Sequence, residues 1–206
     1  MTRDASTAES PEVARSKQRI AESTLSELQQ HGMLGLRLAD VAERAGVSVP
    51  LIHKYFGDRD GLLATVIADE VERNYMLDIE AMSLIGDNVP DEALFDTLLG
   101  LMPKPDDQWR RERRWFRLEA KAASQSLPVL RERLQEGITR IEASTELLIE
   151  RVRARTGNSS TVSAKTVAWM LLALSDGFTN LDLNTDRIHD EQFLPLVRDI
   201  LLRHVF

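Results

Sequence analysis

The chain has 206 residues, 43% of them hydrophobic and 29% charged, with a formal net charge of −7. Such a composition suits a globular protein with one sizeable core, or a small domain joined to a larger one. Cysteine is absent, which excludes disulfides and thiolate metal sites and fits a reducing, cytoplasmic setting. The longest apolar run, Val167 to Leu174, falls far short of the ~20 residues that cross a bilayer, so no membrane partner is expected.

Along the chain the periodicity is helical. Residues 1–13 are Ser/Thr/Glu-rich, lack the apolar stretch of a secretory signal, and read as a flexible tail. Ile20, Ala21, Thr24, Leu25 and Leu28 mark one face of a helix over about Ser16–Gln30, with Gly32 as its stop. Leu38, Val41, Ala42 and Ala45 repeat the pattern for two turns, Gly46 follows, and a third short helix begins at Ser48 or Val49. A longer helix runs from Arg59 to about Leu84, with Leu62, Leu63, Val66, Ile67, Val71 and Tyr75 inward. Gly86-Asp-Asn-Val-Pro90 then breaks the pattern. Further helices are expected over Asp91–Met102, Asp107–Ser126, Val129–Thr156, Thr161–Leu183 and Asp190–Val205, with Pro103, Pro105 and Pro128 as interruptions. No alternating β pattern and no repeat appear, so the chain is expected to be all-α, with about nine helices.

Residues 37–56 carry the most information. Small Ala42 and Ala45 permit a close helix crossing, Gly46 supplies a sharp turn, and Ile52 and Phe56, four apart, point inward. Pro50, Leu51, His53, Lys54 and Tyr55 are left outward or at the margins. A helix this short needs its neighbours to hold it. Its outer face suits the DNA major groove: Pro50 and Leu51 against thymine methyls, Lys54 donating to guanine, and His53 and Tyr55 donating to phosphates. Arg59, near the next helix start, would add a further phosphate contact. Charge supports this division. Residues 15–59 hold seven Lys/Arg against five Asp/Glu, while the remainder holds 19 basic against 28 acidic residues; phosphate attraction follows the local field. The run Arg110-Arg-Glu-Arg-Arg114, interleaved with Glu112, reads as a solvated face.

In order and spacing, Asp40-Val-Ala-Glu-Arg-Ala-Gly-Val-Ser48, Ile52-His-Lys-Tyr-Phe56 and Arg59-Asp-Gly-Leu-Leu63 resemble the DNA-binding domain of the tetracycline-repressor-like (TetR) family. The resemblance covers about Ala14–Asn74. His53 stands where the family usually has Tyr, Arg37 where it has a Ser/Thr cap, and Arg59 where it more often has Lys. It implies a three-helix DNA-binding domain over residues 14–74, with the helix-turn-helix at 37–56. A larger helical effector-binding and dimerisation domain follows over residues 75–206. The DNA-contacting set carried over is Arg37, Arg44, Ser48, Val49, Pro50, Leu51, His53, Lys54, Tyr55 and Arg59.

The expected function is a homodimeric, sequence-specific transcriptional regulator. It would repress from a palindromic double-stranded operator and be released by a small, largely apolar effector. The alternative is a DNA-bound interaction protein whose C-terminal domain binds another protein. Pocket candidates are Phe95, Leu99 and Met102, then Trp115, Phe116 and Glu119, and Trp169. Leu171, Leu174, Phe178, Leu181, Phe193, Val197, Ile200 and Leu201 give more apolar positions than one internal face requires and are the expected dimer interface. The four histidines lack metal-ligand spacing, and no Walker loop, G-x-G-x-x-G, nucleophile elbow or H-E-x-x-H occurs, so neither cofactor nor enzymatic activity is expected.

Overall fold

Ser10 starts the first helix, its hydroxyl accepting from the Val13 amide at 3.4 Å with Pro11 in the first turn. Helix α1 (Pro11–Gly35) therefore begins ahead of Ser16, and its backbone kinks at Gly32, where φ is 66°. The computed structural model describes residues 10–101, 108–157, 160–183 and 193–204, with the side chains at 181, 193, 194, 203 and 204 outside that description. Among these residues follow α2 (Leu38–Ala45), α3 (Val49–Phe56), α4 (Arg59–Asp87), α5 (Asp91–Gly100), α6 (Gln108–Ala123), α7 (Pro128–Thr156), α8 (Ala164–Asp182) and α9 (Phe193–His204). The described residues contain no strand. Pro103 and Pro105 lie outside the described residues. Pro128 opens α7 rather than interrupting a helix, in the position where its missing N–H costs nothing.

Packing divides the chain into two compact units: Met1–Asp69 with Ser124–Arg133, and Glu70–Ala123 with Leu134–Phe206. In the first, α1 packs on α2 and α2 on α3. Ile20, Val41, Ile52 and Leu62 are fully enclosed, joined by Leu63, Val66 and Ile67 of α4. Gly46 ends α2 in the left-handed region (φ 64°, ψ 41°). Its amide donates to Glu43 O and the Val47 amide to Ala42 O, the pair of bonds that defines a Schellman stop. Asp58 caps α4 by accepting from the Gly61 amide at 2.7 Å.

In the second unit Ile149, Ala164, Val167, Ala168, Val197 and Leu201 form a core cluster, with Phe95, Leu99, Leu171 and Leu174 packed against it. A second seam is ionic. Helix α6 packs on α8 and buries Arg113, Arg114 and Arg117. Arg114 binds Asp182 in bidentate fashion, Nε to Oδ2 at 3.1 Å and Nη2 to Oδ1 at 2.7 Å, with both side chains only 1% exposed. Arg113 pairs with Asp78 and lies over the Trp109 ring. Desolvation lowers the Arg113 pKa from its ordinary value, and Asp78 opposes that shift. The 110–114 run is thus no solvated face. Arg111 and Glu112 are exposed, while Arg113 and Arg114 fall on the inward stripe, where carboxylates balance them.

Candidate DNA-binding surface and a cleft in the second unit

Helix α3 is held by one fully buried residue, Ile52, and by its two ends. At its start Ser48 is the N-cap through its backbone: the Leu51 and Ile52 amides donate to Ser48 O, and the Ser48 side chain makes no capping bond. Val49 is therefore the first helical residue and Pro50 the second. At its end the Gly57 amide donates to His53 O at 2.9 Å, and His53 Nδ1 lies 2.7 Å from Gly57 O. A carbonyl can only accept, so Nδ1 carries the proton, leaving Nε2 as the nitrogen able to meet an outside partner.

What this helix presents is a mixed surface. Ser48, Pro50, His53 and Lys54 are exposed, and Val49, Leu51 and Tyr55 are half-buried. Two ammonium groups lie near the Tyr55 ring, Lys17 Nζ at 5.8 Å and Lys54 Nζ at 5.9 Å from its centroid. Lys17, from α1, is a member of this surface that sequence reasoning missed; 38 residues separate it from Tyr55 in the chain, and no local spacing could reveal the meeting. Arg37 is exposed at the N-cap of α2.

Two expected members are engaged elsewhere. Arg44 binds buried Glu27, Nε to Oε1 at 2.8 Å, and donates to Gln30 at 3.2 Å, fastening α2 to α1. Arg59 donates to Leu36 O at 3.1 Å and to Met33 O, closing the end of α1 where carbonyls lack helical partners. Both guanidiniums brace the scaffold that displays α3.

The second unit contains an open cleft of about 320 Å³, lined by Tyr75, Lys121, Ile138, Ile141, Glu142, Trp169, Leu172, Ala173 and Asp176. Tyr75 donates its hydroxyl to Asp176 Oδ1 at 2.7 Å, and Lys121 pairs with Asp176 Oδ2. Behind them Arg117 stacks on the Tyr75 ring at 4.3 Å and donates to Ser175 at 3.3 Å. Burial, reinforced by Asp176, raises the Tyr75 pKa far above its ordinary value, with Arg117 opposing. The phenol is therefore a donor at any physiological pH.

Of the expected pocket residues, Trp169 alone lines this cleft. Phe95 and Leu99 pack on the core cluster, Trp115 and Phe116 are half-buried elsewhere on α6, Glu119 is exposed, and Met102 lies outside the described residues. Among the expected dimer residues, Phe178, Val197 and Leu201 are buried within their own unit, and Leu171 and Leu174 pack on its core. Ile200 is 40% exposed, and the side chains of Leu181 and Phe193 lie outside the described residues. Among the described residues no group of three or more His, Asp and Glu could hold a metal, and no helix is long and apolar enough to cross a membrane.

Residues 20–66, which span the whole α2–α3 turn and its supports, match the profile of the bacterial regulatory proteins of the tetR family. The chain carries a TetR-family helix-turn-helix domain. Over 44 residues the chain is 46% identical to the HTH-type transcriptional regulator BetI of Paraburkholderia phytofirmans, covering 21% of this chain and 23% of that relative. The chain thus aligns with about a quarter of the length of that relative. Similarity of fold extends much further. A TetR transcription regulator from Haloarcula marismortui superposes with a TM-score of 0.63 at 21% identity, over 90% of this chain and 94% of that one. A protein from Saccharomonospora viridis, solved in complex with choline, does so with a TM-score of 0.61 at 20% identity, over 93% and 97%. The TetR-like architecture therefore extends beyond the helix-turn-helix to most of the chain.

Proposed function

We propose that the protein is a dimeric transcriptional regulator that represses from a palindromic operator and is released when a small molecule enters the cleft of the second unit. The observation that carries the DNA-binding part is the α3 face, where Lys54, His53, Pro50 and Ser48 are exposed while the arginines around them brace the frame. Lys54 reads a base edge, Pro50 and Leu51 meet thymine methyls, and Tyr55, Lys17 and Arg37 hold phosphates. His53 Nε2, an acceptor once Nδ1 donates to Gly57 O, is left to meet a donor such as a base amino group. One helix of eight residues reads few base pairs, so two copies spaced about 34–36 Å apart meet successive major grooves.

The dimer forms through the outward faces of α8 and α9. Leu196 and Ile200, one turn apart, are 57% and 40% exposed; Met170 is exposed on α8, and the exposed Gly177 allows close approach of a partner helix. The cleft supports ligand release over the protein-binding alternative, because an open, largely apolar cavity fits a small molecule. Choline in the Saccharomonospora viridis protein shows that a protein of similar fold holds a small molecule. Tyr75 reaches the cleft from α4, the helix that begins at Arg59. Release needs a ligand that favours the DNA-free form over the operator-bound form by ~1–3 kcal/mol.

The test is selection of a binding site from a random duplex pool, followed by fluorescence anisotropy against scrambled competitor. A two-fold symmetric site bound by a dimer is expected; absence of any sequence preference sinks the proposal. Ile200→Asp should yield monomers by light scattering and weaken operator binding, and a variant still fully dimeric would remove α9 from the interface.

A further inference from the structure

We propose that the cleft selects a small organic cation, its charged nitrogen held by Glu142 and Trp169 and its apolar body against Ile138, Ile141 and Leu172. The inference rests on the effector-cleft reading above and adds the chemical class of the ligand.

Three ionisable side chains line the cleft along with Tyr75. Two of them satisfy each other: Lys121 pairs with Asp176, which also accepts from Tyr75. Arg117 lies 3.5 Å from the same carboxylate but is buried behind the Tyr75 ring and does not line the cleft. The third, Glu142, has no hydrogen-bond, ion-pair or ring partner among the described residues. A half-buried carboxylate with no partner on the protein presents its charge to the cleft, and a ligand that brings a positive charge gains a charge-assisted contact there.

Trp169 contributes the second element. Its indole is half-exposed at the cleft, and Lys165 Nζ already rests 5.3 Å from the ring centroid, so this ring lies within reach of an ammonium on the protein itself. A cation on the cleft side gains the same quadrupole attraction. An anion would face the opposite situation. Lys121 is the one cation lining the cleft among the described residues, and it is held by Asp176, so an incoming carboxylate must displace Asp176 and then lie near Glu142. The volume of about 320 Å³, at the small end of ligand pockets, limits the guest to a compact molecule.

The test is isothermal titration calorimetry of the full-length protein with benzyltrimethylammonium, benzyl alcohol and phenylacetate as cationic, neutral and anionic probes. The cation should bind tightest. Glu142→Gln should weaken it about tenfold while moving benzyl alcohol less than about twofold, the loss expected when a charged acceptor is removed. Glu142→Lys should reverse the order in favour of phenylacetate, and thermal melts of each variant confirm that it folds. If phenylacetate or benzyl alcohol binds as tightly as the cation, or if Glu142→Gln leaves cation affinity unchanged, the charge preference is wrong. Ala173→Trp, which fills the cleft, separates the two readings. Loss of phenylacetate binding in that variant would keep an effector cleft and overturn its cationic class. Absence of binding by all three probes to the wild-type protein would overturn both.

Discussion

In the N-terminal unit the buried carboxylate of Glu27 meets one half-exposed guanidinium from Arg44, whereas in the C-terminal unit α6 turns Arg113, Arg114 and Arg117 inward together. Both units use arginine as a brace, because a planar fork can satisfy a carboxylate or two carbonyls at once. They differ in what this leaves for an incoming partner. The first unit keeps exposed Lys54 and half-buried Lys17 beside Tyr55, a surface that attracts phosphate. The second balances its cations with Asp78, Asp176 and Asp182, and the carboxylate of Glu142 remains at the cleft. The position of a charge in the chain is therefore a poor guide to its job, since the acceptors around it decide whether it faces outward.

Removing Arg114 should break this comparison most severely. Arg114→Ala strands Asp182 in the interior and should cost ~3–5 kcal/mol in urea unfolding, whereas exchanging both partners for apolar residues should recover most of it. A loss no larger than that of a surface arginine would show that the seam is hydrated. Next come the two cations of the first unit that the sequence treats alike. Lys54→Ala should lose ~1–3 kcal/mol of operator affinity and relax base preference without altering the melting temperature. Arg59→Ala should do the reverse, destabilising the fold by ~1–3 kcal/mol through its carbonyl bonds while leaving the salt slope of DNA binding unchanged. A slope reduced by about 0.9 would return Arg59 to the phosphate backbone.

Smaller effects test the turns and the surface. At Gly61 an added Cβ would sit 2.2 Å from Phe56 O, so Gly61→Ala should displace α3 and lower both melting temperature and DNA affinity, by ~1–3 kcal/mol. Gly46 has open space around it, so Gly46→Ala meets only the left-handed strain of about 1 kcal/mol, read from thermal unfolding. The smallest concerns pH. The hydrogen bond from Arg140 holds the Glu72 carboxyl below its ordinary pKa. That contribution is present above the unfolded glutamate value of ~4.3 and is lost as pH falls through the lowered folded value. Arg140→Gln should flatten stability against pH in that acidic window by under ~1 kcal/mol, as expected for a pair that is partly exposed.

Much of the first unit was legible because its signals are local. Ala42, Ala45, Gly46 and Ile52 act through neighbours within a turn or two, and the residues that brace them repeat with helical period. The same logic failed on α6. There the buried stripe at 113, 117 and 120 has helical period too, but two of its members are arginines, and an apolar count passes over them. An apolar surplus over one face points Phe178, Val197 and Leu201 to a dimer interface, and aromatic and apolar bulk points Phe95 and Leu99 to a pocket. In the second unit the first three are buried in their own unit and the other two pack against its core. Of the cleft, Trp169 and inward-facing Tyr75 could be picked out, and Glu142, Lys121 and Asp176 could not.

By itself the order of residues determined the all-helical class, the turn at Gly46 and the short helix that carries Lys54, since each depends on backbone preference and short-range burial. The tertiary structure decided which charges are available. Arg44 found Glu27 across 17 residues, Arg59 found Met33 and Leu36, and Arg114 found Asp182 across 68. Whether a charged group meets water, a partner or a ligand depends on what long-range packing brings within ~4 Å of it, and no local spacing contains that information.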